Sequence, residues 1–461
     1  MTAESGAKPI EIPQPASTSD LEKTGVAKVA ADAESPVATA ARIEQNPQPN
    51  LLELTVPLRL WPAILLTGAG AGITSGLLMK LLRLVQHVCY RYREGDFLTG
   101  VEGVSGTHRV MVLACAGVLA AIVLVLRKRL PDADEDDLNE SIWKHSGRLP
   151  QWKMTVNALL SIVIVGMGAA LGREAALKQF GGLVGGKLSD WLALTPEQRK
   201  LLVACGAGAG MAAAYNVPLG GALFTLEVLL GTASIAAALP AFATAFLATA
   251  VSWFMLPNEP TYQLAYLPST SSLFCWALVC GPVMGYAAVW FVRGLHWAKD
   301  HKPRGWAVAA LPVAVFVALG FASVPFPALL GNGKNVVQLA FEPRFGAALI
   351  LWLLVLRPLS TIACLRAGAP GGLFTPTMTF GALTGAACGQ GWSYLMAGAD
   401  KRSCAVVGAG AVLAAATQAP ISSVAFILEL TYNASTLMVP LLLAVVAATF
   451  TYQRFETRTS Y

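Results

Sequence analysis

Residues 154–171 pass without a single charge, and then "GREAALKQ" places Arg173, Glu174 and Lys178 within six positions. That juxtaposition constrains the chain more than any other feature. A run of this length is close to the roughly 20 apolar residues a helix needs to cross a bilayer. Each ion left in hydrocarbon costs roughly 2.5–3.5 kcal/mol on insertion scales. Further apolar runs occupy 108–126, 232–256, 271–292, 347–363 and 436–451. Only 13% of the 461 residues are charged, against about 25% in an ordinary soluble domain. The wide alternation of a membrane barrel is absent. The chain reads as an all-α, polytopic integral membrane protein.

The remaining composition excludes several functions. A formal net charge of +6, scattered along the chain, leaves no nucleic-acid footprint. Arg127, Lys128 and Arg129, and then Lys299, Lys302 and Arg304, flank spans and mark cytoplasmic ends. The eight cysteines lie mostly in apolar segments without a CxxC pair, as packing residues do. No Ser/His/Asp or Cys/His set and no metal-ligand spacing of the five histidines emerges, so neither an enzyme nor a resident metal or cofactor is expected. Residues 1–50 are rich in Pro, Ala, Ser and acids, with no h-region of a signal peptide. They read as a disordered tail, and 51–461 as one membrane domain.

That domain carries an internal repeat. "GAGAGMAAAYNVPLGGALFTLEV" (206–228) matches "GAGAVLAAATQAPISSVAFILEL" (408–430). Gly206 to Pro218 and Gly408 to Pro420 both span 12 positions, and Pro218 to Glu227 and Pro420 to Glu429 both span 9. "GREAALKQFGG" (172–182) likewise faces "GLFTPTMTFGA" (372–382). Two homologous halves, about 57–256 and 271–461, follow. Transporters built from such repeats bind their substrates where the halves meet. Segments 200–215, 219–230, 372–387 and 404–416 are cut by Gly and Pro into lengths too short for simple spans. They read as half-helices lining a pathway.

The charges of GREAALKQ then acquire a use. A glycine followed by an Ala-rich stretch starts a helix, whose first N–H groups lack partners and attract anions. Glu174 in the first turn fills that site with its own carboxylate and vacates it when protonated. The alternative is a plain cap paired with a base. "GAPGGLFTP" (368–376) supplies a second Gly-rich helix start, able to nest an anion on successive amides. Lys178, four residues after Glu174, can pair with it on one face or extend to water.

GREAALKQFGG, AGMAAAYNVPLGGALFTLE and GAPGGLFTP, in this order and spacing, resemble the motifs of the CLC chloride channel and transporter family, over about 57–461. The resemblance implies a CLC-like fold of two inverted halves with broken, tilted helices. It also implies a member without CBS domains, a homodimer, and a multi-pass location in the plasma (inner) membrane. By the same likeness Glu174 is the gating glutamate. Gly372, Leu373 and Phe374, with Arg173 and Ala175, surround the anion. A tyrosine near the end of the last helix also coordinates it, here Tyr461 or, failing that, Tyr452. Where the family has GSGIP, this chain has "RLPDADEDDLNES", with Asp136 in place of the serine and Asn139 in place of the proline. Carboxylates within a few ångströms repel chloride by about a kcal/mol or more. Asp132, Asp134 and Asp136 have calcium-loop spacing, but Asp137 and Trp143 stand where an EF-hand needs Gly and Glu. Val228 occupies the position of a second, proton-relaying acid. The expectation is a chloride permeation pathway, channel-like and gated by protonation of Glu174, with Lys178 as charge compensation. Proton-coupled antiport, or a non-transporting sensor, are the alternatives.

Overall fold

The computed structural model describes residues 56–127, 138–264, 266–342, 346–432 and 434–456, and among them every regular element is helical. The first half comprises α1 (Trp61–Tyr90), α2 (Phe97–Glu102), α3 (Gly106–Arg127), α4 (Leu138–Lys144), α5 (Gln151–Gly166), α6 (Glu174–Trp191), α7 (Pro196–Tyr215), α8 (Pro218–Phe224) and α9 (Ile235–Ser252). The second comprises α10 (Ser271–Asp300), α11 (Ala307–Ala322), α12 (Lys334–Ala340), α13 (Ala347–Arg366), α14 (Phe374–Trp392), α15 (Lys401–Thr417), α16 (Pro420–Thr431) and α17 (Ala434–Glu456). Helix α8 runs on as a π-helical turn, Thr225–Leu230. Among the described residues six helices are long and apolar enough to cross a membrane, which makes the chain an integral multi-pass protein. All eight cysteines are free.

The halves repeat each other turn by turn. Helix α7 starts at a capping box, with Thr195 accepting from Gln198 N and Pro196 at the first turn, and ends at Asn216 in the left-handed region (φ 57°). Helix α15 starts at the Asp400 cap and ends at Gln418 (φ 52°). In each case a proline then opens the next helix, its missing N–H being no loss there. A Cβ on Gly181 would run into the Gly206 carbonyl of α7, and one on Gly381 would come within 2.6 Å of the Gly408 carbonyl of α15. Both helix pairs therefore pack backbone against backbone, as small residues allow in membranes.

Contacts between the halves are reciprocal. Glu227 accepts hydrogen bonds from Ile421 N (3.1 Å) and Ser422 N (2.7 Å), at the start of α16. Glu429 accepts from Leu219 N (3.0 Å) and Gly220 N (2.6 Å), at the start of α8. Each half's repeat glutamate thus caps the other half's helix, which accounts for the fixed Pro-to-Glu spacing. Carboxylates at helix N-termini stabilise by roughly 0.3–1 kcal/mol or more.

Two expectations are corrected. The uncharged run 154–171 is not one helix: α5 stops at Gly166, and 167–173 form a loop with Gly168 at φ 110°, a conformation reserved for glycine. The segments read as 200–215 and 404–416 are longer, because the polar residues before them are capped into the same helices.

Candidate functional site

The loop before α6 is anchored on several sides. Tyr90 Oη donates to Met167 O (2.7 Å), Thr361 Oγ1 donates to Ala170 O (2.9 Å), and Gly331 N donates to Gly168 O (2.9 Å). Arg357, fully buried in α13, donates to the carbonyls of Leu329 and Gly331 and so fixes the strand of loop above. Where this loop meets its counterpart before α14, Gly172 and Gly372 form an isolated antiparallel bridge. Gly172 N donates to Gly372 O (2.7 Å) and Gly372 N to Gly172 O (2.6 Å). Two helix starts, one per half, are thereby held at one point.

Glu174 is the first residue of α6 and is 1% exposed. Its carboxylate does not cap its own helix. Oε1 accepts from Tyr215 Oη (2.7 Å), Thr375 N (3.0 Å) and Thr375 Oγ1. Thr375 is the second residue of α14, so the carboxylate from the first half sits on the helix N-terminus of the second. Oε2 has no hydrogen-bond partner among the described residues and lies against Gly172 and Gly372, where a Cβ at either position would collide with it. Hydrogen bonds to a charged group each contribute roughly 1.5–3 kcal/mol, and this set holds the carboxylate at the start of α14.

The other predicted residues fall as follows. Arg173 is 7% exposed, and its guanidinium lies 4.6 Å from the centre of the Tyr215 ring. Ala175, Leu373 and Phe374 are partly exposed. The Gly372 amide is committed to the bridge, whereas the Leu373 and Phe374 amides have no acceptor among the described residues. Phe374 packs on Phe426 (4.8 Å between centroids). Lys178 makes no ion pair with Glu174; its ammonium lies 5.5 Å from the centre of the Phe224 ring. Tyr452 lies in α17 near Glu456 and Arg293 and does not hydrogen-bond to Glu174. Asp132, Asp134, Asp136 and Tyr461 fall outside the described residues, as do residues 1–50.

Tyr215 and Thr375 were missed. Both stand inside the quoted motifs, but local pattern assigns Tyr215 only to a helix end and Thr375 only to a helix start. Asn216 behind Tyr215 is tied by Nδ2 to Asn258 Oδ1 (3.0 Å) and the Tyr432 hydroxyl (3.1 Å), and accepts from Trp253 Nε1 (2.9 Å). That clamp, with Thr261 Oγ1 donating to Tyr215 O (3.0 Å), fixes the ring beside Glu174.

A cavity of about 670 Å³ opens onto Arg173 and Tyr215. Arg83, His87, Asp96, Glu259, Lys334 and Glu342 also line it. Burial, and then the charges of Arg173 and Arg83, push the Lys334 ammonium down to about 8. Three basic and three acidic groups share one polar vestibule, and Tyr215 on its wall donates to the Glu174 carboxylate.

Paired helix starts, a buried carboxylate at their junction and a polar vestibule beside it define a polytopic membrane protein whose two halves meet at one polar site. Residues 117–453 match the voltage gated chloride channel family, and the chain belongs to that family, whose business is anion transport. It is 33% identical to the voltage-gated ClC-type chloride channel ClcB of Yersinia pseudotuberculosis, over 82% of this chain and 94% of that protein. It is 32% identical to a putative ClcB-like chloride channel protein of Ralstonia nicotianae, over 73% of this chain and 80% of the other. In fold it matches a slow cyanobacterial Cl−/H+ antiporter (TM-score 0.77, 21% identity, 87% and 96% covered). A CLC-type fluoride/proton antiporter is also similar (TM-score 0.67, 19% identity, 86% and 96% covered).

Proposed function

We propose that this chain moves a small anion, chloride first, across the bacterial inner membrane by exchange against protons, with Glu174 as the group that binds both in turn. One observation carries the reading: the Glu174 carboxylate occupies the α14 N-terminus that an anion would take, and is buried there. An ionised carboxylate excludes the anion by occupying its donors. Protonation removes the charge those donors hold, the side chain leaves, and the anion replaces it at Thr375 N and the free amides of Leu373 and Phe374. Arg173, whose guanidinium lies over the Tyr215 ring, adds a positive charge beside the gate. A gate whose every opening takes up a proton ties anion movement to proton movement. The structural relatives described as Cl−/H+ and F−/H+ antiporters support this reading over the channel expected from sequence. By the family likeness the working unit is a homodimer in lipid, each protomer with its own pathway.

A gated channel is the second reading. Val228 favours it, and so does the capping of α16 by Glu227, which leaves no uncommitted acid at that position of the chain. Flux in proteoliposomes separates the two. Exchange shifts the zero-current potential with the proton gradient, and Glu174→Gln abolishes that shift while chloride still moves. A potential that follows chloride alone in the wild type means a channel, and no flux at all means neither.

A further inference from the structure

Helices α10 and α14 run antiparallel and touch at two levels. Trp392 Nε1 donates to Ser272 Oγ (3.0 Å), and Phe380 stacks on Phe291 (5.0 Å between centroids). Between these contacts Cys388 of α14, about one turn from Trp392, meets Cys280 of α10, about two turns from Ser272. The two thiols hydrogen-bond to each other. Cys404 of α15 lies close by: a Cβ on Gly389 would come within 2.7 Å of its Cβ and 3.0 Å of its Sγ. Cys280 is 8% exposed, Cys404 is fully buried and Cys388 is half-buried.

A buried free thiol usually serves as a small apolar side chain. That accounts for Cys404, which fills the groove over Gly389. It does not account for two thiols facing each other across a helix pair, because a thiol is a weak donor and a weak acceptor and gains little from pairing. What the pairing does supply is the close approach that a disulfide requires. Among the described residues no group of three His, Cys, Asp or Glu is placed to hold a metal ion. The basic residues Lys299, Lys302 and Arg304 lie at or just beyond the other end of α10, the cytoplasmic end by the charge rule. The pair therefore sits in the outer half of that helix, towards the compartment in which disulfides persist.

We infer that Cys280 and Cys388 form an oxidation site, closing to a disulfide that ties α14 to α10. With hydrogen peroxide as oxidant, the more exposed Cys388 sulfur takes one peroxide oxygen, giving a sulfenic acid and one water. The Cys280 sulfur then attacks the Cys388 sulfur. The S–S bond forms, the S–O bond breaks, and the hydroxyl leaves with the Cys280 proton as a second water. Two electrons pass from the thiol pair to one peroxide. The bond is independent of what the chain transports. Its consequence rests on the anion-transport reading: α14 presents Thr375 to Glu174, so a tether at Cys388 restrains the helix that carries the anion donors.

The full chain in proteoliposomes is treated with hydrogen peroxide, unfolded, alkylated with N-ethylmaleimide and digested for mass spectrometry. The expected product is a cross-linked peptide pair holding Cys280 and Cys388, about 2 Da below the sum of the two reduced peptides and split by dithiothreitol. Wild type alone gives this result, so it does not depend on a variant that folds. Cys404→Ser keeps the product, and Cys280→Ser or Cys388→Ser abolishes it. Chloride flux is expected to fall by roughly twofold or more on oxidation, as when a conformational step is slowed. It recovers with dithiothreitol and stays level in Cys280→Ser. Full alkylation of both cysteines after peroxide overturns the site, and so does Cys388 bonded to Cys404 instead. A bond that forms with flux unchanged overturns the restraint on α14. A bond that forms in a chain moving no anion before or after oxidation sinks the transport reading and leaves the site standing.

Discussion

The two motif loops share a scaffold and differ in what they contribute. Each is a glycine-rich turn leading into a long helix, and the Gly172–Gly372 bridge joins them at equivalent positions. Neither helix has a side-chain cap of its own. The first loop then presents a carboxylate at its first helical residue, Glu174, where the second presents Phe374. The second offers the donors, Thr375 N and Oγ1, and the first offers none of its own to Glu174. Two equal helix starts thus become a ligand on one side and a receptor on the other. The reciprocal caps Glu227 and Glu429 show the opposite case, in which both halves give and receive alike. Symmetry holds where the fold is being stapled and is broken where Glu174 meets the start of α14.

The comparison can be broken at its closest approach. Gly372→Ala drives a Cβ into the Glu174 carboxylate and to 3.0 Å from the amide nitrogens of Glu174 and Ala175. Overpacking of this kind costs roughly 1–3 kcal/mol, and the upper end is expected because two helix starts must part. Thermal unfolding in detergent measures it, and Glu174→Ala in the same chain should return only the carboxylate's share.

Removing one donor at a time sharpens the receptor side. Tyr215→Phe and Thr375→Val each delete a hydrogen bond to ionised Glu174, worth about 1.5 kcal/mol. A less stabilised carboxylate takes up its proton more readily. The pH of half-maximal flux should therefore rise in either variant. An unchanged profile in both would place the proton switch elsewhere.

The symmetric pair makes a quantitative demand. Glu227→Gln and Glu429→Gln should each destabilise by about 1 kcal/mol, the usual size of a lost charged cap, and by equal amounts. A large inequality would mean that one of the two carries more than a cap.

The smallest effect belongs to the vestibule. Lys334, with its ammonium at about 8, is cationic below that pH and neutral above it. It shares the cavity with Arg83, His87, Asp96, Arg173, Glu259 and Glu342. As pH rises through 8 one positive charge is lost, and anion uptake from that side should fall roughly twofold, the effect of a charge about 10 Å away in a water-like medium. Lys334→Met should start at the lower rate and show no such fall.

Much of this arrangement was legible in the sequence, and the limits have physical causes. The repeat, the membrane class and Glu174 at a helix start all follow from spacing and periodicity, which are local. The partner of the carboxylate is not local. Spacing along the chain assigns Glu174 to its own helix, but the Gly172–Gly372 bridge turns it onto Thr375, 201 residues away. Tyr215 was hidden for the same reason. Its sequence context, a residue before Asn-Val-Pro, describes the end of α7 and says nothing of which carboxylate its hydroxyl reaches across the bundle. Lys178 illustrates the converse. An i, i+4 spacing permits a pair with Glu174, yet the Tyr215 and Thr375 donors draw the carboxylate away and the lysine lies over Phe224 instead.

Competition between the Glu174 carboxylate and a free anion for the start of α14 is the central claim, and calorimetric titration of purified protein with chloride across a pH series tests it most directly. The wild type should bind chloride more tightly as pH falls, and Glu174→Gln should bind at least as tightly as the acidic wild type with no dependence on pH. An equal pH slope in Glu174→Gln, or binding weaker than wild type throughout, would contradict it.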